Sequence, residues 1–424
     1  MLELAKIRSD KEEVILRLKV KNFHNAEEIV DKIIVLDEQK RKLQKELEEQ
    51  KAQMNLKSKE IGQFMAQNLK DKAEESKQDV AQIKEKTKEL ESLLKDKEEE
   101  LQKTLLIVPN LPHVSVTKGK SAEDNEVVFQ SSELPKLTSN SLAHWDLCQK
   151  YDIIDFELGN KITGSGFPVY KGKGAKLQRA LINFFLDNAY ASGFNEMQVP
   201  IMVNEQSAIA TGQLPDKDSQ MYFAPLDNFY LIPTAEVPLT NIYRDEIVKQ
   251  DSLPLKLCGY TPCFRREAGS YGKDVRGLNR LHQFDKVEIV CIDTPEHSYA
   301  QLEFMKEHVA SLLQKLELPY RILRLCGGDM SFTSALTFDF ETFSAGQNRW
   351  LEVSSVSNFE TFQSNRLKLR FKNSDGKTQL AHTLNGSALA LPRIVATLLE
   401  NNQTENGIKI PKVLVPYTGF EIIN

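Results

Sequence analysis

Two heptad seams in the first 108 residues constrain the fold of this chain more than any other feature. Both seams step alternately by three and four residues, which is the spacing of a coiled coil. Their positions are Ile29, Ile33, Leu36, Lys40, Leu43, Leu47, Gln50, Met54, Lys57, Ile61 and Phe64, then Val80, Ile83, Thr87, Leu90, Leu94, Lys97 and Leu101. Gly62 is the single glycine of this segment and the first proline is Pro109, so little interrupts two long helices. The break at residues 68–71 allows only a hairpin tip, so the sequence predicts an antiparallel two-helix arm over about residues 26–104.

The seams alone do not identify the partner of this arm. A dimerisation coil or scaffold is one interpretation, but a hairpin that closes on itself already covers both seams. Lysines cluster toward the predicted tip and could contact RNA phosphates, although lysines are also common on a solvated coil face. These are Lys57, Lys59, Lys70, Lys72 and Lys77. The formal net charge is −5, so any nucleic-acid contact must come from local basic patches.

The rest of the chain mixes helices and strands. We predict an arm domain over residues 1–108, a turn-rich linker over 109–141 and a second domain over 142–424. The predicted elements of the second domain are an amphipathic helix over 175–191, a short strand over 194–199, a hairpin within 256–292, a strand over 350–356 and a helix containing Arg393. This order predicts an α+β domain built on an antiparallel sheet flanked by helices.

The predicted hairpin carries charges in an informative pattern. Arg265 and Glu267 lie two residues apart, so they point the same way from an extended segment. Alternation after Leu281 puts His282, Phe284, Lys286 and Glu288 on one strand face and Val287, Ile289 and Cys291 on the other. An arginine and two carboxylates on one sheet face suit a substrate that is anionic at one end and cationic at the other. An amino acid that meets a nucleotide phosphate is such a substrate.

Cysteine usage and hydropathy bear on the cellular compartment. The five cysteines form no C-x-x-C pair and no Cys/His cluster at ligand spacing, so we expect a reduced protein without zinc. We recognise no signal peptide and no apolar run of spanning length. The expectation is therefore a soluble, cytoplasmic protein with no membrane contact.

Several segments together resemble the bacterial type of seryl-tRNA synthetase, a class II aminoacyl-tRNA synthetase. Motif one of that class resembles the helix and strand that end at Pro200, motif two resembles Phe264 to Glu288, and motif three resembles Asn385 to Arg393. The Thr234-Ala235-Glu236 triplet, the arm and the Val108-Pro109-Asn110 junction resemble features of the seryl members. The resemblance covers nearly the whole chain and implies a class II catalytic domain.

Three positions depart from the family pattern. Ala388 replaces the second glycine of motif three, Pro392 stands where the family often has glycine, and Gly166 stands where an arginine is common. Gly386 and Arg393 of motif three are retained. The extra methyl group of Ala388 would matter if the backbone approached the nucleotide closely there.

The resemblance implies a first step in which the serine carboxylate attacks the α-phosphate of ATP. Two anions must approach each other, so the site has to neutralise charge. Arg265 is implied to clamp the α-phosphate and the serine carboxylate, and Arg276 to reach the γ-phosphate. Leu281 is implied to lie under the adenine, with Arg393 stacked over it and Glu267 beside it. The implied ATP-binding residues are Arg265, Arg266, Glu267, Arg276, Leu281, Glu352, Val353, Ser354, Ser355 and Arg393.

The same resemblance implies the catalytic residues and the metal ligands. Arg265, Glu352 and Arg393 are the implied catalytic residues. Glu352 and Ser355 are implied to hold Mg²⁺ together with the phosphates of ATP, because Mg²⁺ prefers oxygen ligands.

A serine pocket is implied next to the ATP site. Its implied members are Thr234, Ala235, Glu236, Arg265, Glu288 and Ser387. Whether Glu236 or Glu288 binds the serine hydroxyl stays open. A pocket that hydrogen-bonds a hydroxyl group rejects alanine and glycine, because its buried polar groups would otherwise lose their partners.

The implied second step transfers serine to the 3′ end of tRNA(Ser), with tRNA(Sec) as an open addition. The arm is implied to recognise this tRNA by shape, in a homodimer formed through the motif-one region near Pro200. Two alternatives come from other classes. A synthetase-like paralogue that loads a carrier protein generally lacks the arm and uses zinc. A non-catalytic RNA-binding or scaffold protein would have lost Arg265, Glu288 or Arg393, and all three are present.

Overall fold

The computed structural model describes residues 1–135, 141–216, 219–267 and 276–424. These residues form two compact units. One unit comprises Leu2–Lys19 and Phe23–Pro109, and the other comprises Met1, Val20–Asn22 and Asn110–Asn424.

The first unit is a helical arm with a short helical base. Its helices are α1 (Leu4–Ser9), α2 (Lys11–Val20), α3 (Ala26–Ala66) and α4 (Lys70–Leu106). Every predicted seam position is buried or half-buried, so the two seams cover each other. Ion pairs between the long helices join Lys32 to Glu100 at 3.2 Å, Lys51 to Glu91 at 2.8 Å and Lys57 to Asp79 at 3.0 Å. The partners run in opposite order along the chain, so the helices are antiparallel and the predicted coiled-coil arm is confirmed.

The second unit contains the remaining elements. Its strands are β1 (Glu126–Gln130), β2 (Ile154–Asp155), β3 (Val169–Tyr170), β4 (Asn195–Glu196), β5 (Met202–Asn204), β6 (Phe223–Ala224), β7 (Phe229–Leu231), β8 (Ile247–Lys249), β9 (Leu255–Phe264), β10 (Gln283–Asp293), β11 (Tyr320–Arg324), β12 (Leu336–Ser344), β13 (Arg349–Asn358), β14 (Arg370–Lys372), β15 (Thr378–Leu380), β16 (His382–Ala390), β17 (Gln403–Thr404), β18 (Gly407–Lys409) and β19 (Ile422–Ile423). Its helices are α5 (His144–Lys150), α6 (Phe156–Ile162), α7 (Gly172–Ala191), α8 (Glu205–Thr211), α9 (Glu236–Asn241), α10 (Ser298–Lys315), α11 (Thr361–Leu367), α12 (Leu391–Asn401) and α13 (Val415–Thr418).

An eight-stranded sheet organises this unit in the order β1-β11-β12-β13-β16-β10-β9-β4. All neighbouring pairs are antiparallel except β4 and β9, which run parallel. Helices α7, α10 and α12 pack against the sheet through one hydrophobic core, which contains Phe185, Leu312 and Ile394. Val287 and Ile289 of β10 belong to the same core. The predicted α+β domain on an antiparallel sheet flanked by helices is therefore confirmed.

Some element boundaries differ from the sequence prediction. The predicted strand over 194–199 is shorter, because β4 ends at Glu196, although the Met197 N–H still donates to the Cys258 carbonyl at 2.8 Å. The segment that begins with Asn385, for which no element was predicted, is part of β16. Helix α12 starts directly after it, with Pro392 in the first turn, where a proline costs no helical hydrogen bond.

The described ranges contain no helix that combines the length and the apolar character of a membrane span.

Candidate active site

A cavity of about 670 Å³ opens on the face of β10 that lies opposite the helix-packed core. Phe284, Lys286 and Glu288 line it, whereas the intervening Val287 and Ile289 point into the core. The predicted site residues in its lining are Thr234, Glu236, Arg265, Glu267, Leu281, Glu288, Glu352, Val353, Ser354, Ser355, Ser387 and Arg393. Guanidinium and carboxylate groups from separate segments of the chain therefore line the same cavity.

Strand register explains why distant segments meet there. Glu288 of β10 lies directly opposite Ser387 of β16, and Asn385 of β16 lies directly opposite Ser357 of β13. Directly opposed residues point to the same side of a sheet. The polar residues of motif three and of β13 are thus brought next to Glu288 by the ladder itself.

Glu288 is almost completely buried, with 1% of its surface exposed, and is held by three donors. Lys286 Nζ lies 2.7 Å from Glu288 Oε2, Thr234 Oγ1 donates at 3.0 Å and Asn385 Nδ2 donates at 3.2 Å. Lys286 also donates to Thr234 Oγ1 at 2.9 Å. The negative charge of Glu288 is therefore already balanced inside the protein.

Glu236 is the second buried carboxylate of this pocket, and its charge is less well balanced. Burial, with the charge of Glu288 as a second cause, raises the pKa of Glu236 to about 7. A hydrogen bond from Gln363 and the charges of Lys286 and Arg265 act in the opposite direction. The pocket accordingly favours a ligand that brings a positive charge to Glu236.

Arg265 is held from two sides just after the end of β9. Its Nε donates to the Pro233 carbonyl at 3.4 Å, and its guanidinium lies 5.2 Å from the centre of the Phe284 ring. Its backbone N–H donates to the His282 carbonyl at 2.9 Å, which extends the pairing of β9 with β10. His282 Nδ1 lies 3.1 Å from the Arg265 carbonyl, so this histidine contacts the backbone of the arginine.

The opposite end of the cavity is built from β13 and α12. Arg393 donates from Nη1 to the Glu352 carbonyl at 2.7 Å and from Nε to the Asn279 carbonyl at 3.0 Å. Ser355 Oγ donates to Asp339 Oδ1 at 2.5 Å and lies 3.5 Å from Glu352 Oε1. Burial, followed by the charge of Glu352, raises the pKa of Asp339. Two carboxylates and a hydroxyl group are thus close together where the triphosphate of a nucleotide was expected.

Three predicted site residues are not part of the cavity lining. Arg276 lies over the Trp145 ring at 4.3 Å and borders a neighbouring cavity of about 540 Å³. Arg266 lies over the Tyr222 ring at 5.4 Å, and Ala235 is fully buried. Their ligand roles stay predictions.

Lys286 and Asn385 were not predicted as site residues. Lys286 follows the same alternation as Glu288, so the strand pattern already held the signal for it. Asn385 could be found only from the pairing of β16 with β10, which the sequence does not specify.

Two family models match the chain. Residues 1–112 match the Seryl-tRNA synthetase N-terminal domain, and residues 224–402 match the tRNA synthetase class II core domain (G, H, P, S and T). The serine–tRNA ligase of Salinibacter ruber is 49% identical, and the match covers 99% of this chain and 98% of that protein. The serine–tRNA ligase of Leptospira biflexa is 46% identical over 98% of this chain and 100% of that protein.

Solved structures agree with these relatives. Seryl-tRNA synthetase from Pyrococcus horikoshii, complexed with ATP, has a TM-score of 0.92 and 33% identity, and the match covers 100% of this chain and 99% of that one. Cytoplasmic serine–tRNA ligase from Naegleria fowleri, in complex with AMP, has a TM-score of 0.86 and 27% identity over the same shares. The chain therefore belongs to the seryl-tRNA synthetase family of the class II aminoacyl-tRNA synthetases.

Proposed function

We propose that this chain activates L-serine with ATP and then transfers it to the 3′ end of tRNA(Ser). ATP-dependent ligation of serine to tRNA is the activity of its family. The observation that carries the proposal for this chain is the shared cavity of Arg265, Glu236, Glu288 and Arg393. In the first step a serine carboxylate oxygen bonds to the α-phosphorus while the bond to pyrophosphate breaks. In the second step a terminal ribose hydroxyl of the tRNA attacks the seryl carbonyl and AMP leaves.

The charges of the pocket support an assignment of the serine groups. Glu236 lacks a full cationic partner, so it suits the serine ammonium group. Glu288 is already neutralised by Lys286, so it suits the uncharged hydroxyl group, together with Thr234. Arg265 then faces the serine carboxylate and the α-phosphate, where its planar fork can bind oxygens of both.

The residues around Glu352 fit a magnesium ion that arrives with ATP. Among the described residues no group of three or more His, Cys, Asp or Glu side chains could hold a metal alone, so the protein would supply only part of the ligand shell. Glu352 and Ser355 would hold the ion through oxygen atoms. Ser355 Oγ donates a hydrogen bond to Asp339 Oδ1 at 2.5 Å. Mg²⁺ is commonly bound in this way, through one or two carboxylates and substrate phosphates. When bound, it would neutralise phosphate charge as pyrophosphate leaves.

The motif-one region supports the proposal of a homodimer. Large apolar side chains next to Pro200 are exposed, including Met202 at 49%, Phe223 at 43% and Phe229 at 42%. They lie on a small sheet formed by β5, β6 and β7.

A cytoplasmic location is proposed because all five cysteines are free thiols, as expected in a reducing compartment.

The test of the proposed function is serine-dependent exchange of pyrophosphate into ATP. Exchange should require serine, and alanine, which lacks the hydroxyl group, should support it at least about 10³-fold less well at equal concentration. Threonine keeps the hydroxyl group and should be rejected by the size of its extra methyl group. Equal exchange with alanine would contradict a pocket built around the serine hydroxyl. Exchange without charging of tRNA(Ser) would instead favour loading of a carrier protein.

The raised pKa of Glu236 predicts a pH-dependent affinity for serine. Below pH 7 Glu236 binds a proton in the free enzyme and cannot pair with an ammonium group. The KM for serine should therefore fall by up to about tenfold per pH unit as the pH rises toward 7, and should level off above it. The KM for ATP should lack this dependence. The measurement is pyrophosphate exchange between pH 5.5 and 8.5, with Glu236→Gln as the variant whose profile should be flat.

Replacement of Glu288 by alanine should weaken serine binding far more than ATP binding. The change removes the acceptor for the serine hydroxyl and leaves the buried Lys286 ammonium without its carboxylate. We expect an increase in the KM for serine of roughly 10- to 100-fold, the equivalent of about 1.5–3 kcal/mol for a charged hydrogen bond. Glu267→Ala is the matched control, because Glu267 lines the same cavity at the expected adenine side. A Glu288→Ala enzyme in which both KM values rise equally would place Glu288 outside the serine pocket.

A further inference from the structure

A buried glutamine lies directly behind the Glu236 carboxylate. Gln363 belongs to α11 and has 0% of its surface exposed. Its Nε2 donates to Glu236 Oε1 at 2.6 Å and to the Thr211 carbonyl at 3.2 Å. Its Oε1 accepts from Thr383 Oγ1 at 2.6 Å. Gln363 does not line the cavity, so it acts on a ligand only through Glu236.

These contacts fix which way the amide of Gln363 points. The Thr211 carbonyl can only accept, so the amide nitrogen and not the amide oxygen must face it. Both hydrogens of this nitrogen are then used, one for Thr211 and one for Glu236. A flipped amide would put two oxygens against each other at both places, so Glu236 Oε1 always meets a donor.

Hydrogen bonds to backbone carbonyls join the elements that carry these side chains. The Phe359 N–H donates to the Thr383 carbonyl at 2.9 Å, just before α11 begins. Ser364 Oγ donates to the Ala381 carbonyl at 2.5 Å within the same short helix. The donor opposite Glu236 is therefore held in place by the connection between α11 and β16.

We propose that Gln363 is a positioning residue that orients the ionised Glu236 carboxylate toward the ammonium group of serine. A neutral amide suits this task, because it stabilises the carboxylate without cancelling its charge. A lysine or arginine at this position would neutralise Glu236 and repel the incoming ammonium group. The other charges near Glu236 are Glu288 on β10, which opposes its ionisation, and Lys286 and Arg265, which favour it. This inference rests on the proposed activation of serine.

The decisive variant is Gln363→Glu, which keeps the shape of the side chain but replaces its donor by an acid. Two carboxyl groups 2.6 Å apart would compete for one proton. We expect the KM for serine at pH 7 to rise at least about tenfold. The pH above which the KM for serine levels off should increase by about one pH unit or more. The KM for ATP and kcat should each change less than about threefold, because Gln363 touches neither the cavity nor the nucleotide side.

Two further variants keep the test informative. Thr383→Val retains the shape of the side chain but releases the amide oxygen of Gln363, and it should give a smaller shift in the same direction even if Gln363→Glu folds poorly. Gln178→Glu is the matched control: Gln178 is a comparably buried glutamine whose Nε2 donates to the Asp285 carboxylate at 2.9 Å, away from the cavity. It should leave the serine profile unchanged.

The outcomes separate this inference from the function on which it rests. A wild-type enzyme without serine-dependent exchange would remove the proposed function itself. If the wild type is active, two results with Gln363→Glu would contradict the inference alone. One is an unchanged pH dependence of the KM for serine, and the other is an equal increase in the KM values for serine and ATP.

Discussion

Replacing Arg265 by alanine is expected to eliminate serine activation while the fold stays intact. The loss in kcat/KM for pyrophosphate exchange should be about 10³-fold or more, since removal of one donor to developing charge already costs about 10²–10³-fold. Arg265 serves two anions at once in the proposed step. Without it the serine carboxylate must approach the α-phosphate with its charge uncompensated.

The stability of this variant should change little. Among the described residues, the Arg265 guanidinium makes one long hydrogen bond, to the Pro233 carbonyl at 3.4 Å, and it lies over the Phe284 ring. Its removal leaves no buried carboxylate without its direct cationic partner, because Glu288 is paired with Lys286. Thermal unfolding of the variant should therefore resemble that of the wild type, which separates loss of chemistry from loss of structure.

Two further substitutions sharpen this test. Arg265→Lys keeps the charge but loses the planar fork, so it should recover only part of the activity. Arg280→Ala removes another arginine of the same cavity, one that pairs with Glu267, and it should act mainly through ATP. Near-normal exchange by Arg265→Ala would refute the clamp.

The sequence predicted those parts of the molecule that depend on local periodicity. The arm followed from steps of three and four residues, because each seam position meets the partner helix directly. The cavity face of β10 followed from alternation, because Phe284, Lys286 and Glu288 all leave the strand on the same side.

Periodicity within a segment could not predict the contacts between distant segments. Gln363 and Glu236 are 127 positions apart, and only the folded chain brings α11 against α9. The pairing of Asn385 with Glu288 depends in the same way on the neighbouring positions of β16 and β10. No spacing rule within one segment could have revealed either contact.

The departures from the family pattern also have local physical explanations. Ala388 is fully buried in the core, on the side of β16 opposite Ser387, so its methyl group does not enter the cavity. Gly166 has a φ of +84°, and a Cβ there would lie 2.5 Å from Cδ2 of His282. The imidazole ring thus occupies the space that a side chain at position 166 would need.

Removal of the arm should separate the two steps of the reaction. Deletion of residues from Ala26 to Thr104 is expected to leave serine-dependent exchange within about threefold of the wild type and to reduce tRNA charging to background. The described residues that line the cavity all belong to the unit of Asn110–Asn424, so we expect activation to proceed without the arm. The two ends of the arm lie side by side, as the 3.2 Å ion pair of Lys32 with Glu100 shows, so a short turn can rejoin the chain.

Loss of charging is expected because a long two-helix arm can recognise tRNA by shape, with scattered basic contacts. Part of the basic cluster at the tip is held within the arm itself: Lys57 pairs with Asp79 at 3.0 Å and Lys77 with Glu74 at 2.9 Å. Lys59, Lys70 and Lys72 are exposed. Their joint replacement by glutamate should weaken charging and reduce its dependence on salt, because fewer phosphate contacts release fewer counterions. Exchange by this triple variant should be unchanged.

If deletion of the arm abolished exchange as well as charging, the arm would be required for the catalytic fold, and its assignment as a tRNA-binding element would be wrong.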